Sequence, residues 1–400
     1  MPEIHSKALG QSLDVERIID RIDGTQPGPC LVFLAGIHGN EPSGVFAMKQ
    51  VIQELRDQSA TIRGSIVAVA GNLWALPKGQ RFQEADLNRL WTQTRMQQIE
   101  AGTFQPANED EQQLLEIHQV IQDLLRQQDG PFYFFDLHTT SGETIPFIPV
   151  NDSLLNRKFT QQYPIPLILG IEEHLDGPLL SLLNEEGYVS FGFEAGQHDA
   201  LSSIDNHKTF AYLSLVFTGA ISEEQLDLEP LLQNWKSQVA DQEAFFEIYN
   251  RYEVQPDEQF VMEPGFDNFQ QVRKGELLAQ SNGEPIHAPH DATLFMPRYQ
   301  PKGDDGYFLI RRIPGFFLWL SRWLRALHLD RALRWLPGIR RKTDELGTLI
   351  VNKKIAFILA TQVLHLLGYR SKSVSKTQLV IRNREFQSRD KEYKKEAWYV

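Results

Sequence analysis

Gly36-Ile37-His38-Gly39-Asn40-Glu41 sets an imidazole and a carboxylate three residues apart on a glycine-flanked turn that can aim both at one point. A second imidazole comes much later, in Asp136-Leu137-His138-Thr139-Thr140. Two histidines and one carboxylate suit a three-ligand zinc site of the open, catalytic type, with water in the fourth position. The wide gap between the close pair and the third ligand suits a site assembled from two strand ends. Phe191 to Gln197 (FGFEAGQ) brings Glu194, a candidate general base opposite a metal-activated water. Each signal has a bland alternative. A histidine after a strand is commonly structural, and a His-x-x-Glu pair is common. A phosphate-cradling loop at GIHGNEPSG is disfavoured, because Glu41 would repel phosphate and the G-x-G-x-x-G spacing is absent.

The positioning elements follow from hydrophobic periodicity. Cys30–Ile37 is an apolar run bounded by Pro-Gly-Pro and Gly, which predicts a buried strand. Val45, Met48, Val51, Ile52 and Leu55 recur at helical spacing, so a helix follows over 44–56. Strands are expected at 65–70, 132–137, 167–171 and 188–193, and helices at 109–127 and 206–219. Buried strands alternating with helices predict an α/β domain with a largely parallel or mixed sheet up to about residue 220. Catalytic groups in such sheets gather at the C-terminal strand ends. From about residue 245, short segments broken by Gly and Pro suit a small β-domain ending near Ile313.

The chain has 400 residues and a net charge of −12, with 42% hydrophobic and 23% charged residues, a globular composition. A single cysteine, Cys30, excludes a disulfide framework and a Cys-based zinc cluster. No leader is visible over Met1–Ala8 and no apolar run reaches membrane-spanning length, so a cytoplasmic setting is expected. The charge is uneven: residues 1–310 carry 20 basic and 45 acidic side chains, and residues 311–400 carry 20 and 7. An acidic body disfavours nucleic acid as a partner.

The ordered strings GIHGNE, then Arg81 to Arg89 (RFQEADLNR), then DLHT, then Glu194 in EAG resemble the succinylglutamate desuccinylase/aspartoacylase family of the zinc carboxypeptidase-like superfamily. The resemblance spans roughly residues 28–200 and extends faintly to about 310. It implies an α/β/α domain with a central mixed sheet over 1–225 and a small β-domain over 245–313 covering the cleft; the chain beyond about 312 has no counterpart in that family, and its composition predicts a basic helical C-terminal extension over 314–400. It also implies one Zn2+ per chain on His38, Glu41 and His138, with Glu194 activating water and Arg81 polarising the scissile carbonyl. Asn88 and Arg89 would hold the carboxylate of a small-molecule substrate, with Tyr307 facing it from the β-domain. The implied activity is hydrolysis of the amide of an N-acyl amino acid or related small carboxylate. The alternatives at these positions are an Arg89–Asp86 ion pair on a surface turn and a Tyr307 packed in the β-domain. His198 and His290 have no assigned role.

Two rival readings of the whole chain are a zinc carboxypeptidase-type peptide hydrolase and a membrane-surface or partner-binding protein acting through its tail. Residues 311–342 hold nine basic residues against one acid, Asp330, interleaved with Phe316, Phe317, Trp319, Trp323 and Trp335. That pattern resembles an interfacial amphipathic helix, making 312–342 a candidate for peripheral membrane contact or homo-oligomer formation. The simpler expectation is that its apolar face packs on the acidic body.

Overall fold

The computed structural model describes residues 1–342, 347–352, 361–373 and 378–399; the remainder of the expected 314–400 extension lies outside the described residues. A five-stranded central sheet runs in the order Ile18–Asp23, Arg63–Ala70, Gln26–Ala35, Phe132–Thr140, Val189–Gln197. The first strand is antiparallel to its neighbour, and the other pairings are parallel. Strand alternation sorts the apolar side chains into two layers. Leu31, Phe33 and Ala35 join a core with Val45, Met48, Val51, Ile52 and Phe210, from the helices Ser43–Asp57 and Leu201–Phe217. Cys30, Val32 and Leu34 join another with Leu114, Ile117, Ile121 and Leu179, from the helices Glu109–Gln127 and Leu179–Glu185. Each large apolar side chain buried here stabilises the fold by about 1.5–3 kcal/mol relative to exposure.

Three features depart from the sequence expectations. The apolar run at 167–171 forms the short strand Leu167–Leu169, which joins a second sheet rather than the central one. That six-stranded sheet runs Gln271–Val272, Ala292–Phe295, Asp305–Arg312, Phe245–Glu253, Leu167–Leu169, Ile148–Val150, so it draws strands from both sides of residue 225. Apolarity marks a strand as buried without saying which sheet it joins.

The tail is only partly helical. Beside the helix Gly315–Ala326 it forms a four-stranded antiparallel sheet of Ile339–Arg341, Thr348–Asn352, Gln378–Asn383 and Tyr369–Ser373. Its last residues return to the body: the Tyr393 hydroxyl donates to the Phe132 carbonyl, and Trp398 Nε1 donates to the Tyr133 hydroxyl at 2.9 Å.

Finally, the tail helix does not set its apolar face on the body. Ser321 and Arg325 are buried, while Phe316, Trp319 and Trp323 are exposed. Arg325 is held by the Asp152 carboxylate at 2.8 Å, Glu385 at 3.1 Å and the His365 carbonyl at 2.7 Å. A buried guanidinium supplied with that many acceptors outcompetes apolar packing for the inward face. Among the described residues, no helix is long and apolar enough to cross a membrane.

Candidate functional site

The turn after Gln26–Ala35 is built by two glycines. Gly36 has φ +73°, and a Cβ on Gly39 would lie 2.2 Å from the Ala75 carbonyl carbon. The tight turn returns the chain so that the Glu41 amide bonds the His38 carbonyl at 3.1 Å, placing both side chains on one side. His138 comes from the end of the adjacent strand Phe132–Thr140, and Glu194 is its register partner on Val189–Gln197. The loop from Arg81 to Arg89 is pinned by the buried Asp110, which accepts from the amides of Gln83, Glu84 and Ala85.

His38, Glu41 and His138 are all buried, and one ligand atom from each falls within 4.8 Å of the others. Each imidazole faces Glu41 with Nδ1, at 3.0 Å for His38 and 2.9 Å for His138. Each turns Nε2 to a second carboxylate, Asp86 at 3.1 Å and Asp136 at 2.8 Å. Outer carboxylates of this kind fix the ring and raise the basicity of the inner nitrogen. Burial pushes Glu41 up, but the facing His38 and His138 outweigh it and hold the carboxyl well below its usual range. Burial lowers His138, and Asp136 and Glu41 reverse this, raising it well above an ordinary histidine. The carboxylates that draw a proton onto this imidazole would equally draw a divalent cation. Two imidazole nitrogens and one carboxylate, with their outer atoms braced, fit such an ion.

Glu194 is buried, with its amide bonded to the Phe147 carbonyl at 3.0 Å, and its Oε2 has no hydrogen-bond partner. Burial pushes its carboxyl up to about 8, against the opposing pull of His138. Arg81 reaches Asp86 at 3.2 Å and Glu41 at 3.5 Å.

His38, Glu41, Arg81, Asn88, Arg89, His138 and Glu194 all line one cavity of about 130 Å3. Tyr307 does not reach it. Its ring stacks on Tyr252 at 5.4 Å, in the apolar cluster of the small sheets. The physical reason is a bulge at Gly306, where Tyr307 pairs with Tyr252 but Asp305 pairs with Glu253. The bulge breaks the alternation, so Asp305 and Phe308 line the cavity while Tyr307 points away.

The expected alternative pairing of Arg89 with Asp86 is also replaced. Arg89 donates to Asp305 at 2.8 Å, and Asp86 is committed to His38 and Arg81. Asn88 accepts from the Leu179 amide at 3.2 Å. Sequence reasoning missed Asp86 and Asp136 as partners of the outer imidazole nitrogens. The two-residue spacing of Asp136 and His138 on one strand was the available signal, because it puts them on the same face. Nothing local marked Asp305, Arg298 or Gln300, which reach the cavity only through the second sheet and its loop. His198 lies beside the site with Nδ1 2.8 Å from Thr139 Oγ1, and His290 bonds the Tyr249 hydroxyl on the surface.

A sheet that gathers buried titratable groups and arginines at its parallel strand ends defines an α/β enzyme working at that edge. Residues 27–174 match the family described as succinylglutamate desuccinylase/aspartoacylase catalytic domain. Succinylglutamate desuccinylase of Idiomarina loihiensis is 22% identical over 306 residues, covering 71% of this chain and 83% of that protein. The structure of succinylglutamate desuccinylase from Vibrio cholerae aligns at TM-score 0.53 and 15% identity, over 88% of this chain and 94% of that one. A succinylglutamate desuccinylase/aspartoacylase from Rhodobacter sphaeroides aligns at 0.52 and 17% identity, over 73% and 88%. The structural likenesses show a shared mixed α/β fold.

Proposed function

We propose that this chain is a zinc-dependent amidohydrolase acting on an N-acyl amino acid or a related small carboxylate. The observation that supports it is the convergence of the His38/Glu41/His138 cluster, Glu194 and Arg81 on a single small cavity. Held by the cluster, a divalent cation supplies Lewis-acid polarisation and lowers the pKa of a water molecule. Glu194 is placed to take a proton from a water attacking the amide carbon and to return it to the departing amine. Burial makes its carboxyl a stronger base than an ordinary glutamate. Arg81 donates to the developing oxyanion, a contact of a kind typically worth about 3–4 kcal/mol. Asn88 and Arg89 orient the substrate's carboxylate, the guanidinium exchanging Asp305 for the ligand.

In this reading residues 1–225 form the catalytic unit, and 245–313 wall the cleft through the loop from Met296 to Asp305. Residues 314–400 form a basic extension. The test is metal analysis and a hydrolysis panel of N-acyl amino acids, N-succinyl ones first because of the relatives' names. One equivalent of metal, lost in His38→Ala and His138→Ala, together with turnover of at least one member, is the expected result. Wild-type protein without stoichiometric metal in replete medium, or metal-loaded protein inert on the whole panel, overturns it.

A further inference from the structure

The tail helix Gly315–Ala326 is mounted with its polar side inward. Ser321 donates to the Leu366 carbonyl at 3.0 Å, and Arg325 reaches the Asp152 and Glu385 carboxylates. At 100° per residue, Phe316, Trp319, Leu320, Trp323 and Leu327 share the opposite arc. Trp319 and Trp323 are each 55% exposed, and Trp335, in the turn that follows, is 79% exposed. Large apolar side chains clustered in this way on a surface mark a contact site rather than ordinary scatter.

Charge identifies what the surface meets. Arg312, Arg322, Arg331, Arg340 and Arg341 are exposed along the same segment. The only acid there, Asp330, lies 3.1 Å from Asn383 Nδ2 and 3.3 Å from the Tyr369 hydroxyl. Beside the helix, a cleft of about 590 Å3 is lined by Lys158, Arg322 and His328, together with the acids Asp330, Glu385 and Asp390. Residues 1–310 carry a balance of −25 and residues 311–400 one of +13. An anionic plane therefore repels the body and attracts the tail, which presents the aromatic side chains to it. Tryptophan favours the bilayer interface, and arginine favours anionic headgroups. A two-fold pairing of this face with a second copy would instead set the same arginines against one another.

We propose that residues 315–336 form a docking surface for an anionic phospholipid bilayer. The aromatic side chains enter the interfacial region, and the arginines lie at headgroup level. No residue of the hydrolytic site takes part, so this surface stands independently of the proposed activity.

The test is co-sedimentation of the full chain with vesicles of phosphatidylcholine mixed with phosphatidylglycerol, and with phosphatidylcholine alone. Binding to the anionic vesicles that weakens as salt rises is expected. Trp319→Ser/Trp323→Ser should lower the partition coefficient at least about tenfold while leaving thermal unfolding unchanged. Arg322→Gln/Arg331→Gln should narrow the preference for anionic over neutral vesicles. Full-length protein that stays in the supernatant with both vesicle types overturns the proposal. So does undiminished binding by the tryptophan variant, or a lipid-free dimer that this variant dissociates, which would assign the face to a second copy.

Discussion

The strand ends around His38 and His138 and the tail helix Gly315–Ala326 both take charged groups out of water, in opposite settings. In the body, apolar side chains fill the two faces of the central sheet, and the titratable groups collect where its strands stop. Where the tail helix docks, a charged cluster faces inward: Asp152 is ringed by Arg157, Arg325 and Arg384, while Trp319 and Trp323 face outward. Glu194 in the first region keeps an unpartnered oxygen, whereas Asp152 in the second has three guanidinium partners. A buried charge left partly unmatched is available for chemistry, and one fully matched is a fastener.

The sharpest break between the regions comes from removing one charge in each. Glu194→Gln is expected to lower turnover by ~10²–10⁴ with little change in melting temperature, measured by steady-state kinetics and thermal unfolding. Wild-type turnover in that variant would place the base elsewhere. Arg325→Leu should do the reverse. Breaking a buried pair from one side costs about 3 kcal/mol of stability, read as a shifted denaturation midpoint, with the hydrolytic constants of the remaining folded protein retained.

Acid should discriminate in the same way. Burial raises Asp152, but Arg157, Arg325 and Arg384 outweigh it, so its carboxyl is held well below the usual range. A depressed folded pKa contributes stability that is complete above the unfolded value and lost as pH falls through the folded one. The contribution should hold at neutral pH and fade only below about pH 4, the ordinary aspartate value. Asp152→Asn should remove that part of the acid dependence in a pH series of unfolding curves.

Arg89→Lys tests the boundary between the first 225 residues and the second sheet, because Arg89 meets Asp305 across it. An ammonium keeps the charge but not two parallel hydrogen bonds. A loss of about tenfold in kcat/KM for carboxylate substrates is expected, with a smaller loss for the matching carboxamide. Equal losses on both would show that Arg89 only braces the fold. The smallest effect belongs to Trp319→Ser, whose side chain is largely in water: stability should move by no more than about 0.5 kcal/mol in urea titration.

Much of the body was readable in advance. The helix expected over 109–127 is found at Glu109–Gln127, and the strands at 65–70, 132–137 and 188–193 are found with longer ends. Their amphipathic or all-apolar patterns follow directly from being covered on one or two faces. The antiparallel edge strand Ile18–Asp23 carries alternating charge and was not legible as part of the sheet. Tyr307 was misplaced because a one-residue bulge at Gly306 reverses side-chain direction, and no local pattern announces it.

His38, Glu41, His138 and Glu194 could be picked from sequence because their residue types suit one chemistry and each follows or ends an apolar run. Those facts are local, and short-range physics determines them. The partners that complete the site are not local. Asp305 reaches Arg89 across 216 positions, and Asp152 meets Arg325 across 173. The direction of the tail helix belongs to the same class. Its sequence contains both an apolar arc and a polar one, and periodicity alone favours burying the apolar arc. Only the tertiary structure, by presenting Asp152 and Glu385 where the helix docks, made the inward face the charged one.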